Sequence, residues 1–248
     1  MKNNKITAII LAAGQGKRMN SPVAKQFLTL RDKPVLYYSL KAFEESSVDD
    51  IILVMGTGQV EYCKENIVEP YHFTKVSQVI EGGRERYDSV FLALESIGQT
   101  GYVLIHDGAR PFITAELIEK VIMQMKEYRA CIVGTPVKET IKVVDSEGFI
   151  VSSPDRTTLW SAQTPQAFEY ESIRKAYDLF DKVKDKSGTA VTDDAMVYEM
   201  FIKQPVKMIP GDYHNIKITT PEDFILAEIL MKDILYENNK KIEQLKGE

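Results

Sequence analysis

Ile6-Thr7-Ala8-Ile9-Ile10-Leu11, running into Ala12-Ala13-Gly14-Gln15-Gly16-Lys17-Arg18-Met19, decides the fold of this 248-residue chain. Six apolar or β-branched residues in a row, with no polar alternation, suit a strand buried on both faces, as in a parallel sheet. The strand empties into a glycine-punctuated loop that carries Lys17 and Arg18, with Lys25 a little further on. Glycines let backbone N–H groups approach an anion closely and the cations add positive charge, so the segment reads as a phosphate-binding loop. A Walker A loop needs Ser or Thr where Arg18 stands, and a dinucleotide fingerprint needs a small residue where Met19 stands. A basic surface loop is the plain alternative.

Working outward, similar apolar runs recur at 51–55 before Gly56, at 102–106 before Asp107-Gly108, and at 130–134. Helical patterns at 35–45, 87–97 and 114–128 separate them, the last with Thr114 placed as its N-cap. Strand–helix–strand repetition of this kind predicts a doubly wound, mostly parallel α/β sheet. After about residue 135 the pattern changes. Two β-branched segments flanking Asp145-Ser146-Glu147-Gly148 read as a β-hairpin, an arm inserted at about 136–156. Helical stretches near 165–180 and 193–200, a strand at 206–209 and a helix at 221–236 follow. The expected organisation is one domain over 1–236 with the arm inserted, and a charged, fraying tail at 237–248.

Composition narrows the class. With 44% hydrophobic and 27% charged residues the chain is neither low-complexity nor disordered. Lys and Arg total 31 against 36 Asp and Glu, a net charge of −5, so bulk attraction to nucleic acid is not expected. Cys63 and Cys131 lack a C-x-x-C partner, which argues against a zinc site or a disulfide framework and for a reducing compartment. The apolar run at 6–13 is too short for a signal-peptide core or a bilayer span, so a cytoplasmic protein without a membrane partner is expected.

In an open parallel sheet, ligands bind beyond the carboxyl ends of the strands. Gly82-Gly83-Arg84-Glu85-Arg86-Tyr87-Asp88-Ser89 reads as a glycine turn opening a helix, with Arg86 and Ser89 on one side. His106-Asp107-Gly108-Ala109-Arg110 puts a carboxylate directly after a buried strand. Such an Asp needs a cation or a hydrogen-bond network. One carboxylate plus substrate phosphates suits magnesium, and a helix cap or a partner for Arg110 would explain Asp107 equally simply. His106 reads as a structural imidazole, since no nucleophile signature accompanies it. Near the C-terminus, Arg156 precedes the only Trp and a proline-marked helix start. Thr192-Asp193-Asp194 opens another helix, and Lys217 faces away from Ile216 and Ile218 on a β-branched segment.

Taken in order, the blocks AAGQGKRM, GGRERYDSV, HDGARP, PVKETIK, LWSAQTPQAF, TDDA and NIKITTPEDF resemble those of the 2-C-methyl-D-erythritol 4-phosphate cytidylyltransferase family, from Ala12 to Glu228. The resemblance implies a nucleotidyltransferase core with a protruding β-arm, a homodimer, and transfer of cytidylyl from CTP to a polyol phosphate with Mg2+. It implies that Ala12, Ala13, Gly14, Gly16, Lys17, Arg18 and Lys25 hold CTP, with Arg18 and Lys25 on the triphosphate. Gly83 and Ser89 would contact the cytosine, Arg86 would shape that pocket, and Asp107 would position metal and ribose. Lys217 would sit near the α-phosphate. Arg110, Thr140, Arg156 and Thr192 would hold the acceptor, Thr140 and Arg156 being delivered by the arm of the neighbouring subunit.

Departures from the family pattern are Ala24 in place of Pro before Lys25, Glu139 in place of Asp, and Gly108 where Ala is frequent. Ribitol-5-phosphate cytidylyltransferases are similar in fold and loop, but Ala13, Ala109 and Trp160 favour the methylerythritol family. A catalytically silent nucleotide-binding domain of the same fold is the alternative of a different class.

Overall fold

Isoleucine-rich segments with no polar alternation become the central strands of a computed structural model that describes residues 4–14, 16–19, 23–184 and 190–246. The side chains of Lys17 and of 234–246 lie outside the described residues. In chain order the first half comprises β1 (Ile6–Ala12), β2 (Thr29–Leu30), β3 (Lys33–Pro34), α1 (Val35–Glu44), β4 (Asp50–Met55), α2 (Val60–Cys63), β5 (Val76–Glu81), α3 (Arg86–Ser96), β6 (Tyr102–Asp107) and α4 (Ala115–Tyr128). Then come β7 (Ala130–Pro136), β8 (Val143–Val144), β9 (Ile150–Ser152), β10 (Trp160–Glu169), α5 (Tyr170–Asp181), α6 (Asp194–Ile202), β11 (Lys207–Pro210) and α7 (Pro221–Lys246).

Seven strands form one sheet in the order β11-β7-β10-β6-β1-β4-β5. All neighbours are parallel except β10, which runs antiparallel to both β6 and β7. Side chains alternate across β1: Ala8, Ile10 and Ala12 join a core with Leu36, Phe43 and Val121 of α1 and α4, while Ile9 packs with Val90, Leu94 and Tyr177 of α3 and α5 on the other face. A sheet covered on both faces is the doubly wound arrangement. The chain leaves β1 for β4 and β5, then crosses back to β6 on the opposite side of β1. That reversal opens a crevice at the carboxyl ends of β1 and β6, where Leu11 pairs with Asp107.

Three local expectations are corrected. Residues 165–169 are not helical; they complete β10, and the helix begins at Tyr170. Pro165 resembles a helix start, but it falls in the register irregularity between Ala162 and Gln166, where a residue without an N–H costs the ladder no bond. The segment 215–219 is irregular rather than a strand, although Ile218 is fully buried and Lys217 faces away from it as alternation requires. β5 had no counterpart in the sequence reading, and α7 runs on to Lys246 instead of stopping near residue 236. The hairpin arm is present as its own two-stranded sheet, β8–β9. No helix among the described residues is long and apolar enough to cross a membrane.

Candidate active site

At the crevice the loop after β1 is shaped by its glycines. Gly16 adopts φ +62°, a left-handed conformation that side chains rarely take, and packs against the stem of Lys25. Gly82 sits so close to its neighbours that a Cβ there would lie 2.6 Å from both Ala13 Cβ and Ser89 Oγ. The loop after β5 therefore closes directly onto the loop after β1. Glu85 and Asp88 form a capping box at the start of α3, which aims Arg86 and Ser89 into the cleft. The Ser89 hydroxyl accepts from Gly83 N–H at 3.1 Å and donates to Glu85 O at 3.2 Å.

Asp107, the last residue of β6, is the hub. Arg86 Nε donates to its Oδ1 at 3.2 Å, Lys217 Nζ meets its Oδ2 at 2.8 Å, and Arg110 Nε lies 3.7 Å from the same oxygen. Burial alone would raise the Asp107 pKa, but the charges of Arg86, Lys217 and Arg110 outweigh it and hold the carboxyl well below the usual carboxylate range. Lys25 is the converse case. Burial lowers it from 10.5 to about 8, the Lys217 and Arg18 charges push the same way, and Asp107 opposes them. Its Nζ donates to Ile218 O at 3.0 Å, tying the glycine loop to the segment that carries Lys217. His106 is fully buried, and that burial lowers its pKa to about 3; it is a neutral ring whose Nδ1 lies 3.0 Å from Thr164 Oγ1, matching the structural reading.

Two adjoining clefts share Arg86, Asp107 and Lys217. One is walled by Ala12, Ala13, Gly14, Lys25, Gly83 and Ser89. The other is walled by Arg110, Gln163, Thr164, Gln166 and Thr192. The structure thus brings together most of the residues singled out in the sequence. Arg18 is exposed on a single turn beside Lys25 and does not line either cleft. The arm residues Thr140 and Arg156 are exposed and away from both clefts, Arg156 donating to Lys138 O at 2.9 Å. Gln26, Arg84, Gln163 and Gln166 line the clefts without having been singled out, and Asp194 was read only as part of a helix opening. Their neighbours in the motif blocks were the only local signal.

Among the described residues no group of three or more His, Cys, Asp or Glu side chains gathers to hold a metal. Asp107 supplies an ionised, hard oxygen donor to both clefts, while the other carboxylates described as lining them, Glu85 and Asp193, are engaged in capping α3 and α6. That fits a divalent cation which keeps most of its shell as water and phosphate oxygens, and does not fit an all-protein cage.

A glycine-loop cleft at a sheet's switch point, ringed by cations around one carboxylate, on a doubly wound frame, defines a nucleotidyltransferase-type α/β protein. The family profile of IspD, 2-C-methyl-D-erythritol 4-phosphate cytidylyltransferase, matches residues 6–233. A protein of that name from Lachnoclostridium phytofermentans is 52% identical over 92% of this chain and 97% of its own length; one from Clostridium perfringens is 48% identical over 92% and 99%. The crystal structure of 4-diphosphocytidyl-2C-methyl-D-erythritol synthase from Anaerococcus prevotii superposes with a TM-score of 0.81 at 33% identity, covering 92% of this chain and 96% of that one. The chain belongs to the 2-C-methyl-D-erythritol 4-phosphate cytidylyltransferase family. It is a nucleotidyltransferase that moves the cytidylyl group of CTP onto 2-C-methyl-D-erythritol 4-phosphate, and enzymes of this family typically use a divalent metal.

Proposed function

We propose that the two adjoining clefts hold the two substrates on either side of the Arg86–Asp107–Lys217 cluster: CTP against the glycine loop, and the acceptor phosphate against Arg110 and Thr192. The observation that carries this reading is the convergence of Lys25, Arg86, Asp107, Arg110 and Lys217, from four separate stretches of chain, on one crevice. Gly83 and Ser89 form the wall against the cytosine. Ala12, Ala13, Gly14 and Gly16 offer backbone N–H groups to the phosphates, with Lys25 and Arg18 adding charge.

An acceptor phosphate oxygen attacks the α-phosphorus of CTP in line. The new P–O bond forms as the bond to the bridging oxygen breaks, and pyrophosphate leaves with that electron pair. A phosphomonoester has its second pKa near about 6 and is already largely dianionic at neutral pH, so no general base is needed. The barrier is anion meeting anion, which Lys25 and Lys217 lower by positioning and neutralising charge. Mg2+ would be the metal, held by Asp107, and would supply charge neutralisation on the phosphates. The enzyme works as a cytoplasmic homodimer whose arm brings Thr140 and Arg156 to the partner's acceptor cleft; the exposed, apolar arm and the buried free cysteines Cys63 and Cys131 support this.

Purified protein incubated with CTP, Mg2+ and either methylerythritol phosphate or ribitol phosphate, followed by phosphorus NMR, tests the reading. A diphosphate diester and pyrophosphate should form with the first acceptor, stop on chelation and resume with Mg2+. Equal turnover of ribitol phosphate would overturn the acceptor assignment.

A further inference from the structure

Asp194, the first residue of α6, is completely buried, yet it is a carboxylate. A buried carboxylate persists only when its oxygens are paired and hydrogen-bonded. Here Arg86 grips it with both terminal nitrogens, Nη1 at 2.9 Å and Nη2 at 2.8 Å, and Tyr177 Oη donates to it at 2.6 Å. The backbone around it is equally fixed: Gln166 Oε1 accepts from the N–H groups of Asp194 and Ala195, both at 3.0 Å. With its fork turned to Asp194, Arg86 reaches Asp107 through Nε and meets only one of its oxygens. The other oxygen is left to Lys217, with Arg110 beside it.

We infer that Asp194 is a positioning residue that holds the fork of Arg86 away from Asp107, so that Asp107 stays shared between several cations and available to the reactants. A guanidinium prefers to grip a carboxylate through two parallel bonds. Freed from Asp194, Arg86 would turn its fork onto Asp107, occupy both oxygens and displace Lys217. Because Thr192 and Asp193 of the acceptor cleft directly precede Asp194, the same carboxylate links the acceptor side to the nucleotide side. The inference rests on the reading that Asp107 and Lys217 serve the reaction, and it adds a residue outside both clefts.

The test is Asp194→Asn, assayed by pyrophosphate release and by calorimetric titration with CTP in EDTA. Turnover should fall about 10–100-fold, the size usual for a residue that orients a ligand-holding group. CTP affinity without metal should be unchanged or tighter, because Asp107 is then more fully neutralised. Asp194→Glu, which keeps the charge, should recover turnover at least in part. In an Arg86→Gln background Asp194→Asn should cost nothing further, a comparison that also removes the stranded buried cation if the single variant folds poorly. Tyr177→Phe is the structural comparator, and should lower Tm with little loss of turnover. Wild-type turnover in Asp194→Asn, weakened CTP binding in step with turnover, or additive losses with Arg86→Gln would each overturn the inference. Failure of the underlying reading would look different, since Lys25→Ala and Lys217→Ala would then remain active.

Discussion

The crevice and the arm are built on opposite terms. In the crevice, Lys25, Arg86, Asp107 and Lys217, four charged side chains from separate segments, are held by backbone and by one another, and Asp107 and Arg86 are largely shielded from solvent. In the arm, Phe149, Ile150 and Val151 are 63–67% exposed, and Arg156 bonds only to nearby backbone. The crevice is preorganised within one chain, so its electrostatics are set before any ligand arrives. The arm has a shape but no core of its own, and its exposed apolar residues are what the proposed second copy would cover.

The sharpest break in the comparison should come from the crevice. Lys25→Ala and Lys217→Ala should each lower turnover about 10²–10³-fold, as for other preorganised charge donors, in a pyrophosphate-release assay. Near wild-type rates in both would remove the crevice from the chemistry.

The arm should give a smaller effect, felt across subunits. Arg156→Ala should lower acceptor kcat/KM about 10–100-fold, the worth of a hydrogen bond to a charged group. Co-expressed with Lys25→Ala, it should recover about a quarter of wild-type activity, because half the dimers are mixed and each has one intact site. No recovery would place the arm on its own subunit's site.

The smallest effect is a pH dependence confined to the crevice. Lys25 must be protonated to meet a triphosphate, and its pKa is lowered to about 8 by burial and by the Lys217 and Arg18 charges. The kcat/KM for CTP should thus decline as pH rises through about 8, rather than holding to near 10 as for an ordinary lysine. A profile flat to pH 10 would show that Lys25 is not the titrating group, and Lys25→Arg should abolish the decline.

Much of this was legible along the chain, for reasons that differ by residue. β1 and β6 were readable because burial on both faces leaves an unbroken apolar run, and the Thr114 cap because its hydroxyl accepts from Leu117 N–H at 3.2 Å, a local bond. β10 was misread because what makes it a strand is contact with β6 and β7, while Pro165 gave a helix-like local signal. β5 escaped because an edge strand with half-buried, mixed side chains has no distinctive pattern. Asp194 looked like any acidic helix opening, since its meaning lies in Arg86, which is 108 positions away in the chain.

Local chemistry along the chain was enough to settle the sheet class, the glycine loop and the ordered motif blocks, because burial periodicity and turn stereochemistry act over a few residues. Which cations share Asp107, which way Arg86 points, and that the arm stands clear of its own crevice were decided by folding alone. Charge interactions depend on distance through space, and it takes the crossover from β5 back to β6, together with the bond from Ile218 N–H to Ala109 O, to bring those segments within reach of one another.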